Sequence, residues 1–225
     1  EIKWEQQIPL DIGVDLELFN KINITADYFK KTTEDLLVSA QTSGIIGVAA
    51  PGSSVPVINA GNVENSGFEF SIGYKETISE DFDFKINYNF TTLCNEVTFV
   101  GNSTGIIEGG SFGVGQDPPS RMEAGFPIGY FYGYKTNGLF QTQADVDAHA
   151  SQTNAAPGDL RFVDVNGDGT IDSDDRTYIG DPIADVTMGL NLSFNYKRFD
   201  FNAYAFASLG NEIVRNYERN LPLTN

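Results

Sequence analysis

The chain has 225 residues, with 14 Lys and Arg against 31 Asp and Glu for a formal charge of −17, and 12% of it is aromatic. A field of that sign excludes nucleic-acid binding through phosphate contacts, which need a basic face. The single Cys94 excludes an intrachain disulfide, and one histidine, His149 in a polar run, gives no base for a Ser-His-Asp set, so no enzyme is expected.

No run of about 20 apolar residues marks a membrane helix, yet membrane strands need only about 9 to 11 alternating residues and leave no hydropathy peak. Such alternation opens the chain. In DIGVDLELF, Ile12, Val14, Leu16 and Leu18 share one face, and in INITADYF so do Ile22, Ile24, Ala26 and Tyr28. Asn20-Lys21 between them predicts a hairpin turn. A segment of about 22 residues, Gln41 to Asn62, follows as a long loop.

GFEFSIGY then aligns Phe68, Phe70, Ile72 and Tyr74, and FDFKINYNF aligns Phe82, Phe84, Ile86, Tyr88 and Phe90, with Lys75 to Asp81 as the turn of a second hairpin. The next 92 residues, Cys94 to Asp185, break the alternation and read as a second, much longer loop region. Cys94 is expected as a small buried side chain near a strand end, and His149 as a solvated residue. Within this region GYFYGYKTNGLF supplies Tyr130, Phe131, Tyr132, Tyr134 and Phe140, which suit either stacking on a ligand or partner or an aromatic core for the loop itself.

Further on, DVNGDGTIDSDD crowds carboxylates into twelve residues. Asp164, Asn166, Asp168, the carbonyl of Thr170, Asp172 and Asp175 occupy positions 1, 3, 5, 7, 9 and 12 of a calcium loop, with Gly169 at the turning sixth position. A hard cation accepting six to eight oxygens at about 2.3 to 2.6 Å turns that repulsion into coordination. Asp175 stands where a bidentate Glu is usual. The other reading is an acidic surface loop with Asn-Gly and Asp-Gly turn chemistry. Pro157, Gly158 and Pro182 leave no room for flanking helices, so a structural calcium clip is expected rather than a sensor.

The last hairpin runs from MGLNLSFNY, with Met188, Leu190, Leu192, Phe194 and Tyr196 on one face, through Lys197-Arg198 into FDFNAYAFA. Alternation alone fits a sandwich with a wet outer face or a barrel with a wet lumen. The connections favour the barrel, because short turns alternate with long segments. Tyr28, Tyr74, Tyr88 and Tyr196 suit an aromatic girdle as well as ordinary cross-strand packing. Six strands cannot enclose a hydrated pore, and open edges in lipid are costly, so the chain is expected to be part of a larger antiparallel barrel.

Four phrases carry a resemblance: WEQQIPLDIGVDLELFNKINITADYFKKTTEDLL, GNVENSGFEFSIGYK, GFPIGYFYGYKTNGLFQT, and the run from PGDLRFVDVNGDGTIDSDD to ASLGNEI. In order and spacing they resemble the C-terminal barrel half of the SusC/RagA family of TonB-dependent outer-membrane transporters from Bacteroidota. The resemblance implies that residues 1–225 are several strands of an all-β transmembrane barrel of about 22 strands, with 94–185 an extracellular loop region bearing the calcium-type loop 164–175.

It further implies outer-membrane uptake of oligosaccharides or peptides, a SusD-like surface lipoprotein as partner, and coupling to the TonB complex through a plug and TonB box N-terminal to Glu1. Two other classes stay open: a soluble secreted calcium-binding β-rich module, and a passive porin or adhesin.

Overall fold

The computed structural model describes residues 2–39, 56–111 and 117–215. Most of the predicted loop from Gln41 to Asn62 falls outside them. The described residues form two units, one built on a large sheet and one on short pairings between Glu108 and Pro182.

The large sheet contains β1 (Gln6–Leu18), β2 (Ile22–Glu34), β5 (Gly61–Ser79), β6 (Phe82–Thr92), β16 (Val186–Tyr196) and β17 (Phe199–Leu209), hydrogen-bonded in that order. Two short strands, β3 (Leu37–Ser39) and β4 (Val57–Asn59), pair with each other, and β7 (Cys94–Val100) extends the edge of β5. Every neighbouring pair in the large sheet is antiparallel.

The register turns six separate alternations into one surface. Leu16, Ile24, Ile72, Tyr88, Leu190 and Ala205 lie side by side across all six strands, and so do Val14, Ala26, Phe70, Phe90, Met188 and Ala207. Asp15, Thr25, Ser71, Asn89, Gly189 and Phe206 form a row on the other face. Because side chains alternate with period 2, a one-residue slip anywhere would place Asp and Asn among the apolar rows. On β17 the apolar rows are completed by alanines, while Tyr204 and Phe206 fall on the polar side.

The apolar rows are not covered. Ile12, Phe68 and Leu16 are 63%, 58% and 47% exposed, whereas the buried hydrophobic residues lie elsewhere. Four of those in the first unit, Val63, Val97, Val100 and Met122, pack with Leu36, Val38, Ile107 and Ile128 around the extension of β5 and β7.

That extension makes β5 19 residues long, about 60 Å at the usual rise, against the 9 to 11 residues that cross a bilayer. The sequence pattern places the start of the long loop at Cys94; pairing instead continues through Val100, opposite Gly61. Gly67 sits where β6 hands over to β7, and a Cβ there would lie 1.9 Å from the Thr92 carbonyl oxygen. The side chain of Cys94 is exposed rather than buried, since only Asn95, Val97 and Val100 of its strand turn inward.

Two turns differ by a little from their predicted places. The first centres on Phe19 and Asn20, both with positive φ, because Leu18 must stay opposite Ile22 in the apolar rows. The second shrinks to Glu80-Asp81, with a bulge between Thr77 and Ser79. Lys197-Arg198 turns as predicted, between paired Tyr196 and Phe199. Adjacent hairpins are laced at this end: Lys75 N–H donates to the Lys21 carbonyl at 2.9 Å, and Lys197 N–H to that of Asp81 at 2.8 Å.

In the second unit, β10 (Tyr130–Tyr134) pairs with β15 (Arg176–Gly180), β11 (Thr136–Leu139) with β13 (Leu160–Phe162), and β12 (Ser151–Gln152) with β14 (Thr170–Ile171). A one-turn helix, α1 (Gln143–Asp147), starts in a capping box between Thr142 and Asp145.

Candidate functional site

The acidic loop is folded by its own side chains. Asp164 accepts the N–H groups of Gly167 at 2.6 Å and Gly169 at 2.9 Å, Asn166 accepts that of Asp168 at 2.9 Å, and Asp168 that of Thr170 at 2.8 Å. Gly167 and Gly169 take positive φ of 77° and 84°, which glycine adopts without a steric cost. Asp172 then caps a single 3-10 turn, Ser173–Asp175, that leads straight into β15. The strand begins at Arg176, the residue after the turn.

Asp175 closes the ring. Its carboxylate is wholly buried and accepts N–H groups from both ends of the loop, Val165 at 2.7 Å and Asp172 at 3.0 Å. These donors, the Asp172 N–H foremost, hold its carboxyl below the ordinary range against the opposing effect of burial. The sequence pattern makes Asp175 a candidate cation ligand, and the structure shows it as a backbone clamp.

The donor set fits a hard cation in kind: four carboxylates, an amide oxygen and a backbone carbonyl within one loop. A carboxylate has about four lone-pair sites, so one that accepts a backbone N–H retains capacity for a metal. Among the described residues no three Asp, Glu, His or Cys side chains stand grouped closely enough to hold an ion as they are. The loop presents a shaped backbone, not a converged carboxylate cage.

The aromatic residues divide. Tyr130 and Phe140 are each 1% exposed and serve as packing: Tyr130 lies 5.7 Å from the Tyr178 ring, and Phe140 meets His149 edge-on at 5.3 Å. Phe131, Tyr132 and Tyr134 are partly exposed, and Tyr134 packs on Phe162 at 5.1 Å.

His149 is not the solvated residue expected. It is half-buried against Phe140, and its Nε2 donates to the Phe162 carbonyl at 2.8 Å, which fixes the proton on that nitrogen.

One arrangement has no counterpart in the motif reading. Arg121 and Arg176 both lie against the Tyr132 ring, 3.6 and 5.0 Å from its centroid, and form ion pairs with Glu108 at 3.3 Å and Asp117 at 2.9 Å. Arg176 directly follows Asp175, so the loop clamp and this stack are joined through one peptide bond. Adjacency of Arg176 to the acidic run was the only sequence signal for it.

A family model described as TonB dependent receptor-like, beta-barrel, matches residues 1–206. TonB-dependent receptor P3 of Formosa agariphila is 34% identical over 216 residues, covering 95% of this chain and 21% of that protein. TonB-dependent receptor SusC of Bacteroides thetaiotaomicron is 33% identical over 229 residues, covering 97% of this chain and 21% of that protein. Among solved structures, the RagAB peptide transporter superposes with a TM-score of 0.70 at 19% identity, over 92% of this chain and 21% of the matched one. The chain thus spans about a fifth of the length of these relatives.

Proposed function

This chain belongs to the TonB dependent receptor-like β-barrel family, and from that membership we propose that it is a wall segment of an outer-membrane importer of oligosaccharides or peptides. The observation that carries the reading is the unbroken, uncovered apolar surface spread over six antiparallel strands. In water such a surface would associate or aggregate, while in a bilayer it meets acyl chains. The opposite face, rich in Asn, Ser, Thr and Gly, suits a hydrated interior.

The relatives bear on the rest. One is named SusC, and the RagAB structure is titled a peptide transporter. We take from them, and from the four matching phrases, a TonB-energised import cycle with a SusD-like surface lipoprotein as partner. The acidic loop is read as a structural Ca2+ clip. Asp164, Asn166, Asp168, Asp172, Asp175 and the Thr170 carbonyl would hold the ion, whose chemistry is charge neutralisation and cross-linking of the loop.

Fractionation of cells that make the full-length protein tests this reading. The protein is expected in the detergent-resistant outer-membrane fraction, and gentle solubilisation is expected to bring a lipoprotein with it. Recovery in the soluble secreted fraction would favour a calcium-bearing binding module instead, and a membrane protein that purifies alone would favour a passive porin or adhesin.

A further inference from the structure

The Tyr132 ring is the middle of a chain of contacts that runs through the second unit. On β10 it lies two residues from Tyr130, which stands opposite Arg121, and two from Tyr134, which stands opposite Arg176, so it is the diagonal neighbour of both arginines. Each guanidinium lies against the ring and also holds a carboxylate, Arg121 that of Glu108 and Arg176 that of Asp117. A planar guanidinium can do both at once, since stacking uses its face and the carboxylate its edge. The side chains of Arg121 and Arg176 are only 15% and 14% exposed, so water and salt screen these contacts less than they would a surface pair. Backbone bonds follow the same route. Tyr132 N–H donates to the Pro119 carbonyl at 2.9 Å, and Gly109 N–H to that of Ser120 at 2.8 Å.

The acidic loop holds the other end. Asp175 clamps Val165 and Asp172, and the N–H of Arg176, whose backbone is extended, donates to the Ser173 carbonyl. The direction in which the Arg176 side chain leaves the backbone is therefore set by the turn that Asp175 closes. Opening the clamp frees that direction, and a stack that depends on close approach to one ring face is lost with it.

We propose that the acidic loop and this chain of contacts are one conformational device with two states. In the closed state Asp175 clamps the loop, Arg176 is seated on Tyr132 and Asp117, and the edge formed by Glu108, Gly109 and Ser120 is ordered. In the open state the clamp, the seat and the order of that edge are lost together. A cation in the loop shifts the balance toward the closed state by as much as it prefers that state. That driver rests on the calcium clip proposed above, whereas the coupling rests on the contacts of this chain and is tested without an ion.

The test is hydrogen exchange of the full-length protein in detergent micelles, first with a chelator present. Coupling is reciprocal, so each end is perturbed and the other is read. Tyr132→Leu removes the ring but no bond to Asp175, and is expected to speed exchange at Val165 and Asp172 about fivefold or more. Asp175→Asn leaves every group of the stack in place, and is expected to speed exchange at Gly109 by a similar factor. Arg121→Lys keeps the charge but not the planar face, and is expected to reproduce the effect of Tyr132→Leu with less disturbance of packing.

Exchange that quickens only beside the altered residue overturns the device. So does exchange that quickens equally along β6 and β16, which marks a general loss of stability. With calcium in place of the chelator, exchange at Gly109 is expected to slow in the unaltered protein and to stay fast in Tyr132→Leu. Slowing at Val165 that does not reach Gly109 overturns the coupling. If calcium changes neither protein while the variants behave as above, the coupling stands and the calcium clip falls.

Discussion

At the scale of single residues, the acidic loop depends most on Asp164 and Asp175. Asp164 organises the first half through two glycine N–H groups, and buried Asp175 ties the two ends together. A bound cation would relieve the repulsion among carboxylates that this backbone scaffold leaves in place. Limited proteolysis of the full-length protein is expected to spare residues 150–180 with Ca2+ present and to cut there once a chelator is added. In Asp164→Ala the cut is expected with or without the ion. Identical digestion patterns in all four conditions would remove calcium from the account and leave a hydrogen-bonded acidic turn.

At the scale of elements, β5 and its partners behave as two joined hairpins. Its C-terminal half pairs with β6 and belongs to the apolar surface, while its N-terminal half pairs with β7 around Val63, Val97, Val100 and Met122. Met122 is 6% exposed, and its truncation to alanine is expected to cost about 2 to 5 kcal/mol locally. Hydrogen exchange of Met122→Ala should accelerate at Gly61 to Ser66 and at Cys94 to Val100 but not along β16. Uniform acceleration would mean that the extension has no core of its own.

This division also shows what was legible in the sequence. The six alternating stretches were, because in each of them one face is apolar and the period is 2. The upper half of β5, GNVENSG, was not: it has no alternation to read, and its strand state comes from pairing with residues about 30 positions away. Cys94 and His149 were misplaced for the same reason, since burial there is decided by contacts across the fold. In the acidic loop the calcium-type spacing of oxygens was readable, but the backbone bonds that occupy those same oxygens were not.

At the scale of the whole molecule, everything turns on which solvent each face of the sheet meets. The reading proposed from family membership and the uncovered rows from Ile12 to Ala207 puts lipid on one side and water on the other. Spin labels report this directly when placed one at a time by Leu190→Cys, Asn191→Cys, Leu192→Cys and Ser193→Cys, in the full-length protein with Cys94→Ser, reconstituted in lipid vesicles. Positions 190 and 192 are expected to relax with dissolved oxygen, and 191 and 193 with a water-soluble nickel chelate. Collision rates that fail to alternate, or oxygen and nickel reaching all four sites equally, would contradict a membrane wall.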